Sequence, residues 1–528
     1  IGGFGAAKGT GPEFLRITDD SARIYFNTTV SKKNRGGFAI GGYDASKGPL
    51  QEYLRVTEDS VRVYIDDTVT TKGNRGGFAI GGFGAAKGVS KNYFNVSGLA
   101  TAEKITGENR ILWYPRKNAF MTGKVIVESD DSVGVNSISS GYETKSVGNY
   151  SEAFGYQSIS RGYYSMAIGK NSLAHGNSSF SFGNMARAEK DDAFAMGSGA
   201  YATGLKSFAF GSVGIDSTGA VTGNTVASGE NAFAVGMGSQ ALGLGAFAIG
   251  ANDTASGSFA LAMGYKSKAS GDWYATAMGA YAEATARYAT AIGYMSRATA
   301  TGAVALGQMN EASGLGATVM GKYNTAVGIY SVVGGYNNTA SGVRSVAFGR
   351  DNTVTGHYSS VFSRSNTASG DYSLVGGQSS STNSSGDYSV AWGRYVSVTN
   401  SYAIAFGYQT TASGQYSTAL NYNTTASGSR ATAIGYSTVA SGIASFSAGS
   451  NTSATGDYAT ALGYYGSTAQ AYASLVIGKY NVKAGSSTTW NATDPLFVAG
   501  NGSTDGSRNN ALTLFKDGNM TIAGTLTE

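Results

Sequence analysis

The sequence predicts an all-β fold whose main part is a parallel β-roll, a solenoid built from coils of 14 residues. Three observations lead to this prediction. A marker glycine recurs at intervals of 14 residues, and a second glycine divides most coils into halves of seven residues. Seven residues are enough for a short strand and a tight turn, but not for two helical turns and a connection. Stacked coils of this kind form a narrow, two-sided solenoid.

The composition excludes several classes of protein. The 528 residues include 78 glycines, four prolines, two histidines and no cysteine, so disulfides and zinc-thiolate sites are absent. Charged residues make up 13%, against a usual share of roughly 25%. The net charge of +5 is small and no Lys/Arg stripe occurs, so no nucleic-acid partner is expected. No run approaches the roughly 18 apolar residues of a membrane-spanning helix, so direct membrane insertion is not expected.

The first zone, residues 1–90, is predicted to contain β repeats of about 40 residues. Ile-Gly-Gly recurs at Ile1, Ile40 and Ile80, and a Lys-Gly pair follows each copy. Apolar residues alternate with Arg and Tyr in residues 15–25 and 54–65, which predicts strand hairpins. Residues 91–135 depart from this pattern and form a transition segment. Because the chain begins in mid-motif, it is expected to be a fragment of a longer protein.

The second zone, residues 136–490, is predicted to be the β-roll. Glycine is expected at its turns because a positive φ and close backbone approach carry no Cβ penalty there. The turn glycines include Gly155, Gly169, Gly250, Gly293, Gly407 and Gly435. Ser363 and Asn421 replace the marker glycine at two positions of the series.

Two residue series precede the marker glycine. The residue immediately before it is commonly Ile, Phe, Met, Leu or Trp, and the residue before that is Ala, Ser or Val. Neighbouring residues of a strand face opposite sides. The large series is interpreted as a hydrophobic ladder, and the small series as a face on which another chain packs closely. A roll this thin buries little by itself, so lateral association with further copies of the chain is predicted.

The last zone, residues 491–528, is predicted to be a β-hairpin that acts as a cap or a connector. Asp517-Gly518 lies between two alternating apolar runs, which is a strong hairpin signal.

The 14-residue unit resembles the head repeat of trimeric autotransporter adhesins, as in Tyr288–Gly293 and Ser429–Gly435. This resemblance implies a left-handed parallel β-roll, three chains around one axis, and display on a bacterial surface for adhesion. Residues 495–519 are similar to segments of phage tail fibres. The predicted function is therefore a structural, adhesive extracellular fibre, with a phage or phage-like tail fibre as the alternative.

Catalysis is not predicted. His175 and His357 occupy ordinary repeat positions, with no nucleophile motif beside them. Acidic residues occur singly at one turn position, where Asp commonly satisfies backbone groups, rather than as a pair in a cleft. These turn acids are Asp272, Asp371, Asp387 and Asp457. No enzyme activity, cofactor or metal is expected.

Two features are candidates for recognition of a surface glycan or protein receptor, whose identity the sequence leaves open. The first is a tyrosine row five residues before the marker, for which a stacked corner ladder is the alternative interpretation. Its candidate members are Tyr274, Tyr288, Tyr372, Tyr388, Tyr402, Tyr416 and Tyr458. The second is an insertion of eleven residues between Gly211 and Gly236, expected to bulge as a loop. Its candidate residues are Ser212, Ile215, Asp216 and Thr225.

An ice-binding solenoid is a third, less favoured function. Such a protein would need a flat, aligned row of threonines. Val, Phe and Leu interrupt the row that contains Thr276, Thr290, Thr418, Thr432 and Thr460.

Overall fold

The computed structural model describes residues 104–524 and, before them, the backbone of seven strands. These strands are Leu15–Thr18, Ser21–Ile24, Phe38–Gly42, Gln51–Thr57, Ser60–Val63, Phe78–Phe83 and Ser90–Gly98. Ile1 and the three Lys-Gly pairs lie outside the described residues. The chain forms two compact units, Ile1–Ser212 and Val213–Glu528.

The 40-residue repeats contain antiparallel strand pairs. Leu15–Thr18 pairs with Ser21–Ile24, and Gln51–Thr57 pairs with Ser60–Val63. Phe38–Gly42 and Phe78–Phe83 pair with the strands that follow them, and each has a register shift directly after its isoleucine. The repeated sequence therefore has a repeated pairing pattern.

A small apolar core lies between these repeats and the roll of the first unit. Strands Ile105–Tyr114 and Ala119–Val127 are antiparallel and are joined by the 3₁₀ helix Pro115–Lys117. A second 3₁₀ helix spans Asp130–Ser132. The Tyr114 hydroxyl donates a hydrogen bond of 2.6 Å to Asp130, and burial together with this carboxylate raises the pKa of Tyr114 to about 12. The second strand then pairs in parallel with Ile138–Tyr142, the first long strand of the roll.

Each coil of the roll contains one long strand, usually of five residues, and one short strand, usually of two. Long strands pair in parallel with long strands, and short strands with short strands, so that equivalent residues of successive coils are aligned. Thr290–Tyr294 pairs with Val304–Gln308, and Arg297–Ala298 with Glu311–Ala312. The predicted all-β solenoid with 14-residue coils is confirmed.

The strands of the two units share this alternation. The long strands of the first unit are Ile138–Tyr142, Glu152–Tyr156, Met166–Lys170, Phe180–Asn184, Phe194–Met196 and Phe208–Ser212. Its short strands are Lys145–Ser146, Ile159–Ser160, Leu173–Ala174, Arg187–Ala188 and Ala200–Ala202. The long strands of the second unit are Phe233–Met237, Phe247–Ala251, Leu261–Tyr265, Thr276–Ala280, Thr290–Tyr294, Val304–Gln308, Thr318–Lys322, Val332–Tyr336, Val346–Arg350, Ser360–Arg364, Leu374–Gln378, Val390–Arg394, Ile404–Tyr408, Thr418–Tyr422, Thr432–Tyr436, Phe446–Ser450, Thr460–Tyr464 and Leu475–Lys479. Its short strands are Thr225–Ala227, Gln240–Ala241, Thr254–Ala255, Lys268–Ala269, Glu283–Ala284, Arg297–Ala298, Glu311–Ala312, Thr325–Ala326, Thr339–Ala340, Thr353–Val354, Thr367–Ala368, Ser381–Thr382, Ser397–Val398, Thr411–Ala412, Thr425–Ala426, Val439–Ala440, Ser453–Ala454 and Thr468–Ala469.

The interior of the roll is made of small side chains. The sequence had instead predicted that the small series lies on an outer face. Ala291 and Ala433, of the series two residues before the marker, are completely buried between the long and short strands. Ile292, immediately before the marker, is 38% exposed. The interpretation of the small series as an outer packing face was wrong. The space between the two strands of a 14-residue coil admits Ala, Ser or Val, and strand alternation then directs the large side chains outward.

The marker glycines occupy the fourth position of long strands. The six glycines named above have φ between +113° and +135°. A Cβ on Gly293 would lie 1.9 Å from the carbonyl oxygen of Gly307, so close stacking of the coils also requires glycine. The corners themselves contain non-glycine residues in the left-handed region, such as Tyr288 and Met295.

The final segment continues the sheet and then reverses direction. Pro495–Asn501 pairs in parallel with Leu475–Lys479 and antiparallel with Asn510–Phe515. Asn510–Phe515 then forms a hairpin with Met520–Ile522 around Asp517-Gly518. The Phe515 amide donates a 2.7 Å hydrogen bond to the Asn519 carbonyl across this turn.

Candidate recognition surfaces

The coils present two outward faces and a set of corners. The long-strand face consists of the first and third residues of the long strands, for example Thr290 and Ile292. The short-strand face consists of the first residue of each short strand and the residue that follows the strand, for example Arg297 and Thr299. The corner tyrosines are those five residues before the marker.

The long-strand face is apolar and exposed. In the first unit, Phe182 and Phe210 are 45% and 44% exposed, and the rings of Phe180 and Phe194 stack at 4.8 Å. In the second unit, exposed members include Phe247, Ile292, Trp392, Phe406 and Leu462. Soluble monomers rarely expose apolar columns of this kind, so this face has the character of an interaction surface.

In the second unit the short-strand face is mainly polar, with Leu242 and Val327 as exposed apolar exceptions. In the second unit, eight consecutive coils place a hydroxyl side chain at the first short-strand position, and parallel pairing aligns these residues. They are Thr325, Thr339, Thr353, Thr367, Ser381, Ser397, Thr411 and Thr425. The four preceding coils place charges there instead, with a 3.1 Å ion pair between Arg297 and Glu283.

The first unit has an open cavity of about 440 Å³ on its short-strand side. Ile159 and Leu173 contribute apolar lining, and Lys145, Arg161 and Glu143 contribute charges. Lys145 pairs with Glu128, and Glu143 pairs with Lys124, in both cases at 2.5 Å. Most of this charge is therefore already neutralised by solvated ion pairs.

The structure gathers four of the seven candidate corner tyrosines into one stack. Tyr372, Tyr388, Tyr402 and Tyr416 follow Tyr358 in successive coils, with ring centroids 4.7–5.1 Å apart. Tyr274 and Tyr288 form a separate stacked pair at 6.1 Å. Tyr458 lies apart from both and meets Tyr472 at an interplanar angle of 65°. All seven are 45–54% exposed and have positive φ.

The predicted insertion forms a short antiparallel hairpin, Gly214–Ile215 with Val221–Gly223. Ile215 is 45% exposed. The carboxylate of Asp216 accepts hydrogen bonds from the Thr218 hydroxyl and from the Thr218 and Ala220 amides, at 2.6–3.0 Å. The Thr218 hydroxyl, followed by these two amides, lowers the pKa of Asp216. Asp216 therefore organises the tip of the loop.

The two ends of the insertion belong to regular strands. Ser212 is the last residue of the long strand Phe208–Ser212. Thr225 is buried at the start of a short strand, where its hydroxyl donates a 2.8 Å hydrogen bond to the Gly236 carbonyl. The Thr222 hydroxyl donates a hydrogen bond to the side-chain oxygen of Asn252, and the side-chain amide of Asn252 donates to the Ile215 carbonyl. These two bonds hold the hairpin against the roll of the second unit.

The turn histidine and aspartates satisfy backbone amides of the preceding coil. The Val343 amide donates to His357 Nδ1 at 3.0 Å, and the His357 amide donates to Asp371 at 2.7 Å. The Asp371 amide donates to Asp387 at 2.8 Å. Within residues 104–524, no group of three or more His, Asp or Glu side chains could hold a metal ion.

Sequence reasoning missed a buried asparagine ladder. Its members are Asn310, Asn324, Asn338, Asn352 and Asn366, each three residues after a marker. The side-chain amide of Asn338 donates to the Gly334 and Gly349 carbonyls, and its oxygen accepts the Asn352 amide. The signal was present in the sequence, as Asn at one repeat position in five consecutive coils.

Parallel long and short strands around a small-residue interior define a β-roll repeat protein. Ten segments match the family described as YadA head domain repeat (2 copies), and across residues 160–465 the chain belongs to this head family of trimeric autotransporter adhesins. The matched segments are 160–186, 188–212, 226–252, 255–282, 284–308, 340–361, 399–420, 422–438, 426–452 and 440–465. The resemblance of the 14-residue unit to the adhesin head repeat is thereby confirmed. No curated protein matches the chain significantly. In the part of the chain that the structure describes, no helix has the length and apolar character needed to cross a bilayer.

Proposed function

We propose that this chain is part of a non-enzymatic, extracellular fibre that assembles as a homotrimer on a bacterial surface and attaches to a glycan or protein through many weak contacts. The observation that carries the proposal is the contrast between an apolar long-strand face and a polar short-strand face on coils of an adhesin head family.

The long-strand face supports self-assembly. Residues such as Ile292 and Phe406 are large, apolar and exposed in the isolated chain. A second copy has the same coil spacing, so its columns fit these columns over many coils without a change of register. Burial of such side chains contributes roughly 25 cal/mol per Å² of apolar surface. The head family to which the coils belong supports three copies as the number.

The short-strand face, the corner tyrosines and the 213–224 hairpin are then free for attachment. Exposed tyrosines provide a large contact area at a low cost in conformational entropy. Three chains and many coils repeat each contact, so weak sites add up to useful avidity. Few charges take part, so attachment should depend only modestly on salt.

The test compares two variants with the parent protein for binding to cells and to a glycan array. One variant replaces Tyr372, Tyr388 and Tyr402 with Ser, and the other deletes residues 214–224, the eleven residues by which this coil exceeds 14. Each should remain folded and lose binding several-fold. A matched control replaces Tyr323 and Tyr336, which are similarly exposed but lie outside the corner row, and should bind as the parent does. If both test variants bind as the parent does, these coils are a spacer and the attachment claim is wrong.

A phage or phage-like tail fibre is the alternative, supported by the resemblance of residues 495–519. The two possibilities differ in what flanks the chain. The full-length gene would encode a membrane anchor in the first case and a baseplate-binding segment in the second.

Ice binding is a second candidate function because of the short-strand face. The interrupted threonine row lies on the long-strand face, whereas the hydroxyl row from Thr325 to Thr425 continues through eight coils. A flat, regular array of hydroxyl groups can order water. Thermal hysteresis that disappears in a Thr353→Leu, Thr367→Lys variant would support this function, and its absence from the parent protein at micromolar concentration would exclude it.

A further inference from the structure

The corner tyrosines Tyr358, Tyr372, Tyr388, Tyr402 and Tyr416 form a continuous aromatic stack over five successive coils. Between Tyr358 and Tyr416 the ring planes of neighbours deviate by only 2–12°, with centroids 4.7–5.1 Å apart. Each ring is 43–51% exposed. The stack therefore combines close, face-to-face phenols with access from solvent.

We propose that this stack is an oxidative cross-linking site, at which a one-electron oxidant of the peroxidase class joins tyrosines of neighbouring coils as dityrosine. Each of two phenols gives one electron to the oxidant and one proton to water, which leaves two tyrosyl radicals. The radicals form a carbon–carbon bond between ring positions next to their oxygens. The hydrogen on each bonded carbon then moves to oxygen, which restores both phenols. Hydrogen peroxide accepts the two electrons and two protons and becomes water.

The geometry favours coupling within the stack over competing reactions. A radical on Tyr388 has a parallel partner on either side, so it need not diffuse to find one. The side chains have two rotatable bonds and lie at exposed corners, which lets neighbouring rings slide into contact on a fast timescale. Desolvation and the adjacent phenols raise the pKa of Tyr388, which disfavours a negative charge on the central ring of the stack.

The chain contains its own control for geometry. Tyr323 and Tyr336 are adjacent and 40–41% exposed, but their rings are nearly perpendicular, at 5.7 Å and 89°. They offer the same chemistry without the parallel stack. Preferential linkage in the stack would therefore reflect ring arrangement rather than exposure.

The experiment treats the full chain with a haem peroxidase and hydrogen peroxide and maps linked peptides by mass spectrometry, each lighter than its two parent peptides by two hydrogen atoms. Links between consecutive stack members should exceed the Tyr323–Tyr336 link several-fold. A Tyr388→Phe variant keeps the ring but cannot form the radical, so it should lose the links to Tyr372 and Tyr402 and keep those between Tyr358 and Tyr372 and between Tyr402 and Tyr416.

Two results would overturn the proposal. One is equal linkage at the perpendicular pair. The other is a product dominated by Tyr388 joined to Tyr388, because identical residues can be linked only between chains.

Discussion

At the scale of single residues, Ala, Ser and Val determine the distance between the long and short strands. Ala291 and Ala298 of one coil are completely buried and face this space. Two sheets that stack so closely leave no volume for a larger side chain. The small residues therefore determine the thickness of the roll, and they leave the large apolar residues outside.

Replacement of Ala291 by Trp should break the coil itself. Overpacking typically costs about 1 to 3 kcal/mol, and a full indole in a thin interior belongs at the upper end of that range. Arg297→Trp is the matched control, because Arg297 lies in the same coil on the exposed short-strand face. Circular dichroism during heating should show a lower unfolding midpoint for Ala291→Trp only. Equal midpoints would contradict the assignment of faces.

Asp253 is an acidic residue buried in the row that holds asparagine in later coils. Its carboxylate accepts hydrogen bonds from the Gly264 and Ser267 amides and from the Ser267 hydroxyl, at 2.6–3.0 Å. Burial nevertheless raises the pKa of Asp253. The folded state thus favours the protonated carboxyl, and the stability that this group contributes below about pH 4 is lost as pH rises through its folded pKa.

Asp253→Asn should therefore become more stable relative to the parent protein as pH rises from acid to neutral. Thermal unfolding midpoints at a series of pH values would measure this. Asp216→Asn is a control of opposite sign, because the pKa of Asp216 is lowered and the stability that it contributes above its ordinary pKa is lost as pH falls through its folded pKa. A difference between Asp253→Asn and the parent that does not vary with pH would contradict the account.

At the scale of structural elements, internal ladders connect one coil with the next. The asparagine ladder satisfies both backbone carbonyls and amides along the interior of five coils. Buried backbone groups need such partners, and the side chain at this position supplies them where strand pairing does not.

Asn338→Ala should remove four ladder hydrogen bonds, those from its side-chain amide to Asn324, Gly334 and Gly349 and that from the Asn352 amide to its oxygen. The unsatisfied groups should cost about 1–3 kcal/mol. Faster hydrogen exchange at the Asn352 amide would report the loss locally. Thr339 follows Asn338 and lies on the outward short-strand face. Thr339→Ala should therefore change the free energy of unfolding by less than about 0.5 kcal/mol. Equal effects of the two variants would contradict a structural role for the ladder.

The sequence determined the coil length and strand type because glycine spacing and residue alternation are local signals. It did not determine which side of the strand faces inward, since alternation alone is symmetric and the deciding quantity is the distance between two sheets. For the same reason the tyrosine row was predicted as a row, whereas its division into a stack of five, a pair and the separate Tyr458 was not. Thr225 was mistaken for a loop residue because the start of a two-residue strand has no distinctive pattern.

For the whole molecule, the long-strand face is the surface that assembly should bury. The double substitution Ile292→Asp, Phe406→Asp would place charges among apolar neighbours at an interface, where unpaired charges are costly. This double variant should assemble poorly. Thr325→Asp with Thr411→Asp, on the short-strand face, should assemble as the parent does. Light scattering would measure the mass of each double variant. If the Thr325, Thr411 variant assembled poorly and the Ile292, Phe406 variant assembled normally, the proposed interface would be contradicted.

The most direct test of the central claim is the mass of the folded parent chain in solution, measured by sedimentation equilibrium. A homotrimer sediments as a single species of three times the 54.0 kDa chain mass, and this is the expected result. A stable species of 54.0 kDa with a complete β-sheet signal would contradict it, because the long-strand face would then remain in water without a partner.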